Sequence, residues 1–149
     1  MTLIYRFLFP ESNANKRTSL LILALRILFG LLLMSHGVQK WSQFDALSTT
    51  FPDPIGLGSQ FSLVLAIFAE LFCSMLFIVG FLYRAALLPM ITTMGVAFFK
   101  IHGGSIVTGG ELAFIYLTVF IILFITGSGR FSIDNFISQL TKKKSSTEM

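Results

Sequence analysis

Four long apolar runs, separated by short polar or glycine-rich stretches, set the pattern of this chain. The first covers about Leu20 to Ser35 and continues as His36-Gly37-Val38-Gln39-Lys40-Trp41. The second covers Phe61 to Leu82, the third about Ala85 to Phe99, and the fourth ends near Thr126. About 20 apolar residues in a helix cross the ~30 Å hydrocarbon layer of a bilayer. The pattern therefore predicts an all-α fold, a four-transmembrane-helix bundle running up-down-up-down. Short interfacial helices are expected at both termini. Leu3, Ile4, Phe7 and Leu8 share one helical face before the first run, although a frayed end would also suit this segment. Ile133, Phe136, Ile137 and Leu140 do the same after the last. The chain divides accordingly into an N-terminal segment 1–19, a membrane domain 20–127 and a C-terminal amphipathic segment with a basic tail, 128–149.

The breaks between runs have their own chemistry. Residues 42–60 form a loop centred on Phe51-Pro52-Asp53-Pro54, a hinge or lid in which each proline keeps the residue before it out of the α region. Pro89 lies inside the third run and predicts a mild kink. Thr108-Gly109-Gly110-Glu111 reads as a capping box for the fourth helix, which makes Glu111 an N-terminal cap favoured by the helix dipole.

Polar residues inside the runs are few. Arg26, Gly30, Gly37 and Lys40 fall near one side of the first helix, and small residues at such spacing let a second helix approach closely. Glu70 lies near the middle of the second run, on a face shared with Ala66, Cys73, Ser74 and Phe77. An acid at that depth needs a partner, a proton or a wet cavity. Arg26 is the expected partner. The pair reads either as a structural ion pair that sets helix register or as a polar pocket for a ligand or proton. His36, Lys40, His102 and Glu111 come from helix ends on the opposite side. They could form an anion or quinone head-group site, a metal site disfavoured by Lys40, or simple interfacial polarity.

Composition strengthens the membrane reading. Of the 149 residues, 54% are hydrophobic and only 12% charged, whereas a soluble domain carries about a quarter. The net charge of +4 reads as orientation. Arg6, Lys16, Arg17, Arg84, Arg130 and Lys142-Lys143-Lys144 fall on one side, Lys40 and Lys100 on the other. The positive-inside rule then puts both termini in the cytoplasm, and the basic tail should rest on an anionic leaflet. No basic face suits nucleic acid. The single cysteine, Cys73, excludes an intrachain disulfide and any Cys-x-x-Cys motif. Arg26 interrupts the first run and no small-residue cleavage site follows, so that run is expected to remain a helix.

The ordered set Arg26-x-x-x-Gly30, His36-Gly37-x-x-Lys40 and Phe51-Pro52-Asp53-Pro54-Ile55-Gly56-Leu57-Gly58 is characteristic. It continues through Ala69-Glu70, Gly80-Phe81-Leu82-x-Arg84, His102 and Glu111-Leu112-Ala113 to Gly127-x-Gly129-Arg130-Phe131-Ser132-Ile133-Asp134. In this set the chain resembles the DoxX family of small four-helix membrane proteins, over about Leu20 to Asp134. It departs at Gly127-Ser128-Gly129, where members usually have Gly-Pro-Gly.

The resemblance implies a multi-pass subunit of the cytoplasmic (inner) membrane associated with oxidoreductases, with quinone or sulfur-compound chemistry in some members. No haem-ligand pair, flavin motif or iron–sulfur motif is visible, so any electrons would come from a partner. The expected function is an accessory subunit offering a pocket around Arg26 and Glu70 to a quinone or small acid, beside a redox protein. Arg84, Arg130 and Asp134 are expected to be structural. A small oligomeric proton-linked transporter and a structural assembly factor are the competing readings.

Overall fold

A computed structural model describes residues 15–147, with side chains as far as Thr141. The expected N-terminal helix around Leu3 to Leu8 and the side chains of the lysine tail lie outside the described residues.

Four helices are long and apolar enough to cross a membrane: α1, Lys16–Ser42; α3, Ser59–Val79; α4, Tyr83–Ile101; and α5, Ile106–Thr126. A short helix α2, Phe44–Leu47, follows α1, and the amphipathic α6, Ile133–Thr147, follows α5. Among the described residues there is no strand. Each span extends a few residues beyond its apolar run, except that α3 stops at Val79 rather than Leu82.

Local chemistry explains these ends. Asn15 caps α1 by accepting from the Thr18 backbone N–H at 3.1 Å and the Thr18 hydroxyl at 2.6 Å, the usual task of a short polar N-cap. Gly80 takes the left-handed conformation, φ 70°, that closes α3. Leu82 then adopts φ 46°, a costly value for a side chain with a Cβ. The Asp134 carboxylate holds it there, accepting from Leu82 N and Tyr83 N at 2.9 Å each. The capping box expected at Thr108–Glu111 does not form. Ser105 accepts from Thr108 N at 3.4 Å, Thr108 and Gly109 are non-helical, and Gly110 precedes the regular part of α5.

The helices pack in chain order: α1 against α3, α3 against α4, and α4 against α5. Aromatic contacts close the ring. Phe77 stacks on Tyr83 at 5.4 Å between centroids and meets Phe120 edge-on at 5.5 Å; Tyr116 joins Phe120 at 5.6 Å and Phe29 at 5.9 Å. This cluster packs between two polar centres, one at the C-terminal end of α3 and the other near its middle.

Candidate functional site

The first centre is Arg26, which is fully buried. Its Nε donates to Phe77 O at 3.0 Å and its Nη2 to Ile78 O at 2.6 Å. Nη1 donates to Ser128 O at 2.9 Å and Phe131 O at 2.8 Å. The guanidinium also lies 5.7 Å from the centre of the Tyr83 ring. Phe77 O also accepts from the Gly80 N–H at 3.2 Å, whereas Ile78 O is one of the terminal carbonyls a helix leaves without an intrahelical donor, and a cation suits the negative end of a helix dipole. Arg26 thus ties α1 to the α3 terminus and to the turn after α5. Gly80 has no room for a side chain there, because a Cβ would strike Arg26.

The expected Arg26–Glu70 pair is therefore corrected. Arg26 gives four of its five N–H groups to backbone carbonyls, and Glu70 is paired with Lys40 instead. The guanidinium is fully buried and is not part of the lining of the cavity beside Glu70.

The three residues expected to be structural occupy this same end. Asp134 is buried, and its N–H also donates to Gly80 O at 3.0 Å. Arg130 is exposed, but its backbone N–H reaches Ser19 Oγ at 3.3 Å. Arg84 places its guanidinium 5.9 Å from the Phe124 ring centre.

The second centre is Glu70. It is buried, and its Oε2 lies 2.6 Å from Lys40 Nζ. The residues Phe68–Phe72 form a π-helical turn inside α3, the kind of bulge that re-aims a side chain and recurs at functional sites. Gly37 of α1 packs directly on that turn, so Lys40, one turn further along α1, reaches over Glu70. His36 lies within electrostatic range of Glu70 and meets the Tyr116 ring edge-on at 6.3 Å.

A cavity of about 620 Å³ lies beside this pair, between α3 and α4, and its polar groups are Lys40, Glu70, Ser62, Thr92 and Thr93. Its walls are otherwise apolar, with Leu65, Ala66 and Phe68 from α3 and Leu88, Pro89, Val96, Ala97 and Ile101 from α4. Phe51, Pro52, Pro54 and Ile55 cover one end. That loop is locked by Asp53, which accepts from Leu57 N at 2.9 Å, Gly58 N at 2.7 Å and Ser62 Oγ at 2.8 Å. The Gly58 N–H, the Ser62 hydroxyl and the Leu57 N–H hold the Asp53 pKa below its ordinary value, against a smaller opposing effect of burial.

The outer polar set does not assemble as one site. Lys40 joins Glu70, the His102 ring lies against Gly109, and Glu111 is exposed in the first turn of regular helix in α5. Among the described residues, no three His, Cys, Asp or Glu side chains stand together as a metal site. Sequence reasoning missed the Lys40–Glu70 pair and the Asp53 lock. The Gly37-to-Lys40 spacing carried the signal for the first, and an acid between two prolines and two glycines for the second.

The DoxX family model matches residues 21–103, a stretch that contains Arg26, Lys40, Asp53, Glu70 and the whole cavity lining. Two uncharacterized proteins of Haemophilus influenzae are similar to the chain. One is 29% identical over 132 residues, covering 83% of this chain and 87% of the relative. The other is 28% identical over 131 residues, covering 83% and 96%. No solved structure matches.

Proposed function

The chain belongs to the DoxX family, and from that premise we propose that it is an accessory subunit of the inner membrane whose Lys40–Glu70 cavity binds a quinone beside an oxidoreductase partner. In this reading both termini face the cytoplasm. The observation that carries it is an ion pair of 2.6 Å opening onto a cavity of about 620 Å³ with almost wholly apolar walls. Ligand sites of that size, with a few convergent polar groups, suit molecules that are mostly hydrophobic.

A quinone ring matches each part of the cavity. Its carbonyl oxygens accept hydrogen bonds, which the Lys40 ammonium can donate. Its two flat faces pack on Phe68 and Pro89, and Glu70 can exchange a proton as the ring changes state. The threonines offer weaker polar contacts along the same wall. A small carboxylic acid suits the cavity less well, since it would set its charge beside Glu70 and leave the apolar walls unused. The chain itself supplies binding and a proton-bearing group, and the partner would supply the electrons.

The test is quinone binding by the full-length protein in nanodiscs. A Lys40→Met, Glu70→Gln double variant removes both charges while keeping side-chain size, so neither is left buried and unpaired. Loss of the charged donor should weaken quinone affinity about tenfold. Unchanged affinity in a folded double variant would overturn the reading.

A further inference from the structure

The geometry points to a quinone with a long tail that reaches the cavity from the lipid layer, through a lateral opening between α3 and α4. This rests on the quinone reading of the cavity and adds the route and the tail.

Several apolar residues lining the cavity are open to the outside: Pro52 and Ile55 in the loop, Ile101 at the end of α4, and three deeper ones, Leu65 at 39% exposed, Phe68 at 46% and Leu88 at 49%. Thr92, one turn beyond Leu88, is exposed too. Leu65, Phe68, Leu88 and Thr92 lie away from the helix ends. Phe68 is nine residues from Ser59, about 13 Å into α3, and Leu88 and Thr92 stand about 8 and 13 Å into α4 from Tyr83. At such depths the surroundings of a membrane span are acyl chains, so this wall of the cavity opens to lipid.

The approach from the water side passes the loop between α2 and α3, where Ile55 is 50% exposed. The loop from Phe51 to Ile55 lies over the other end, and Asp53 ties it to α3 through Ser62. Pro89 and Thr92 leave a shallow α4 wall at the lateral gap, where larger side chains would close it.

Volume sets the chemistry of the occupant. About 620 Å³ is ample for a substituted ring and the first part of a chain, but a tail of several isoprene units must continue outside. Only the lateral gap lets it do so without meeting water. Lipid tails are about as apolar as leucine, so moving the tail from bilayer to cleft adds little affinity. The gap therefore acts sterically: it admits tailed molecules and would reject them if filled.

The experiment uses the full-length protein in nanodiscs and two probes, decylubiquinone and its tailless ring analogue. Leu88→Trp fills the gap, and Leu28→Trp on the exposed face of α1 serves as the remote control. The expected result is a loss of about tenfold in affinity for the tailed probe with Leu88→Trp, little change for the tailless one, and no change with Leu28→Trp. Should Leu88→Trp fail to fold, Thr92→Phe obstructs the same gap one turn away. An unaltered affinity for the tailed probe, or an equal loss for both, overturns the lateral route while leaving the quinone site standing. Failure of the wild-type protein to bind either probe overturns both.

Discussion

Gly37 stands directly against the peptide joining Glu70 and Leu71: a Cβ at Gly37 would lie 2.7 Å from Leu71 N and 2.8 Å from the Glu70 carbonyl carbon. The contact falls in the π-helical turn of α3 and sets the level at which Lys40 meets Glu70. It joins backbone packing to the chemistry of the cavity.

Gly37→Ala should therefore be destabilising even though alanine is the better helix former. The methyl group meets backbone, which cannot rotate away, and overpacking of this kind costs about 1–3 kcal/mol. Gly95→Ala is the matched control, because a Cβ there meets only Leu117 Cδ1 at 4.0 Å and the lower chain entropy should make the change neutral or slightly favourable. Reversible unfolding in mixed micelles would compare them. Equal stability of the two variants would count against the close approach.

The same contact shows what was legible from the amino-acid order. Apolar runs located all four spans, and glycine spacing identified the face of α1 that meets another helix. Glu70 was recognisable as buried because its whole face is small or apolar. Its partner was not, because counting depth along separate helices assumes that both spans begin at one plane. Instead the contact of Gly37 with the Glu70–Leu71 peptide sets the levels, and it brings Lys40 rather than Arg26 to Glu70. Arg26 was misassigned for a related reason. Carbonyl groups have no signature in sequence, so an arginine answering four of them looks like one awaiting an acid.

Arg26→Lys keeps the charge but loses the planar fork that reaches two helix ends at once. Lysine cannot serve Phe77, Ile78, Ser128 and Phe131 together, and hydrogen bonds from a charged donor contribute about 1.5–3 kcal/mol each. A loss of at least about 3 kcal/mol is expected, with limited proteolysis between Gly127 and Asp134 as the local readout. Wild-type resistance in that turn would mean that the guanidinium is not what holds it.

The Asp53 lock should respond to acid in a defined direction. Its pKa is lowered in the folded chain, so the loop gains from the carboxylate at any pH above the ordinary value of 3.8. That gain disappears as pH falls through the depressed folded value. The Gly58 amide resonance should thus hold its position from neutral pH down to about 4 and move only below the ordinary carboxylate range. Asp53→Asn should remove the transition. A midpoint at or above 3.8 in the wild type would contradict the hydrogen-bonded lock.

Two double-mutant cycles separate the polar centres energetically. Lys40 is 24% exposed at its side chain and Glu70 only 5%, so the two deletions are not equivalent. Lys40→Met leaves an acid buried without its cation and should cost about 3 kcal/mol. Glu70→Gln leaves a cation that can extend toward water, so it should cost less, about 1 kcal/mol. Combining them should recover much of the first loss, because no unpaired charge then remains. The Arg26→Gln and Glu70→Gln cycle should behave differently. With aromatic core between the two levels and no shared partner, their losses should add to within about 0.5 kcal/mol. Coupling in the second cycle and additivity in the first would restore the Arg26–Glu70 pair and remove the cavity's ionic wall.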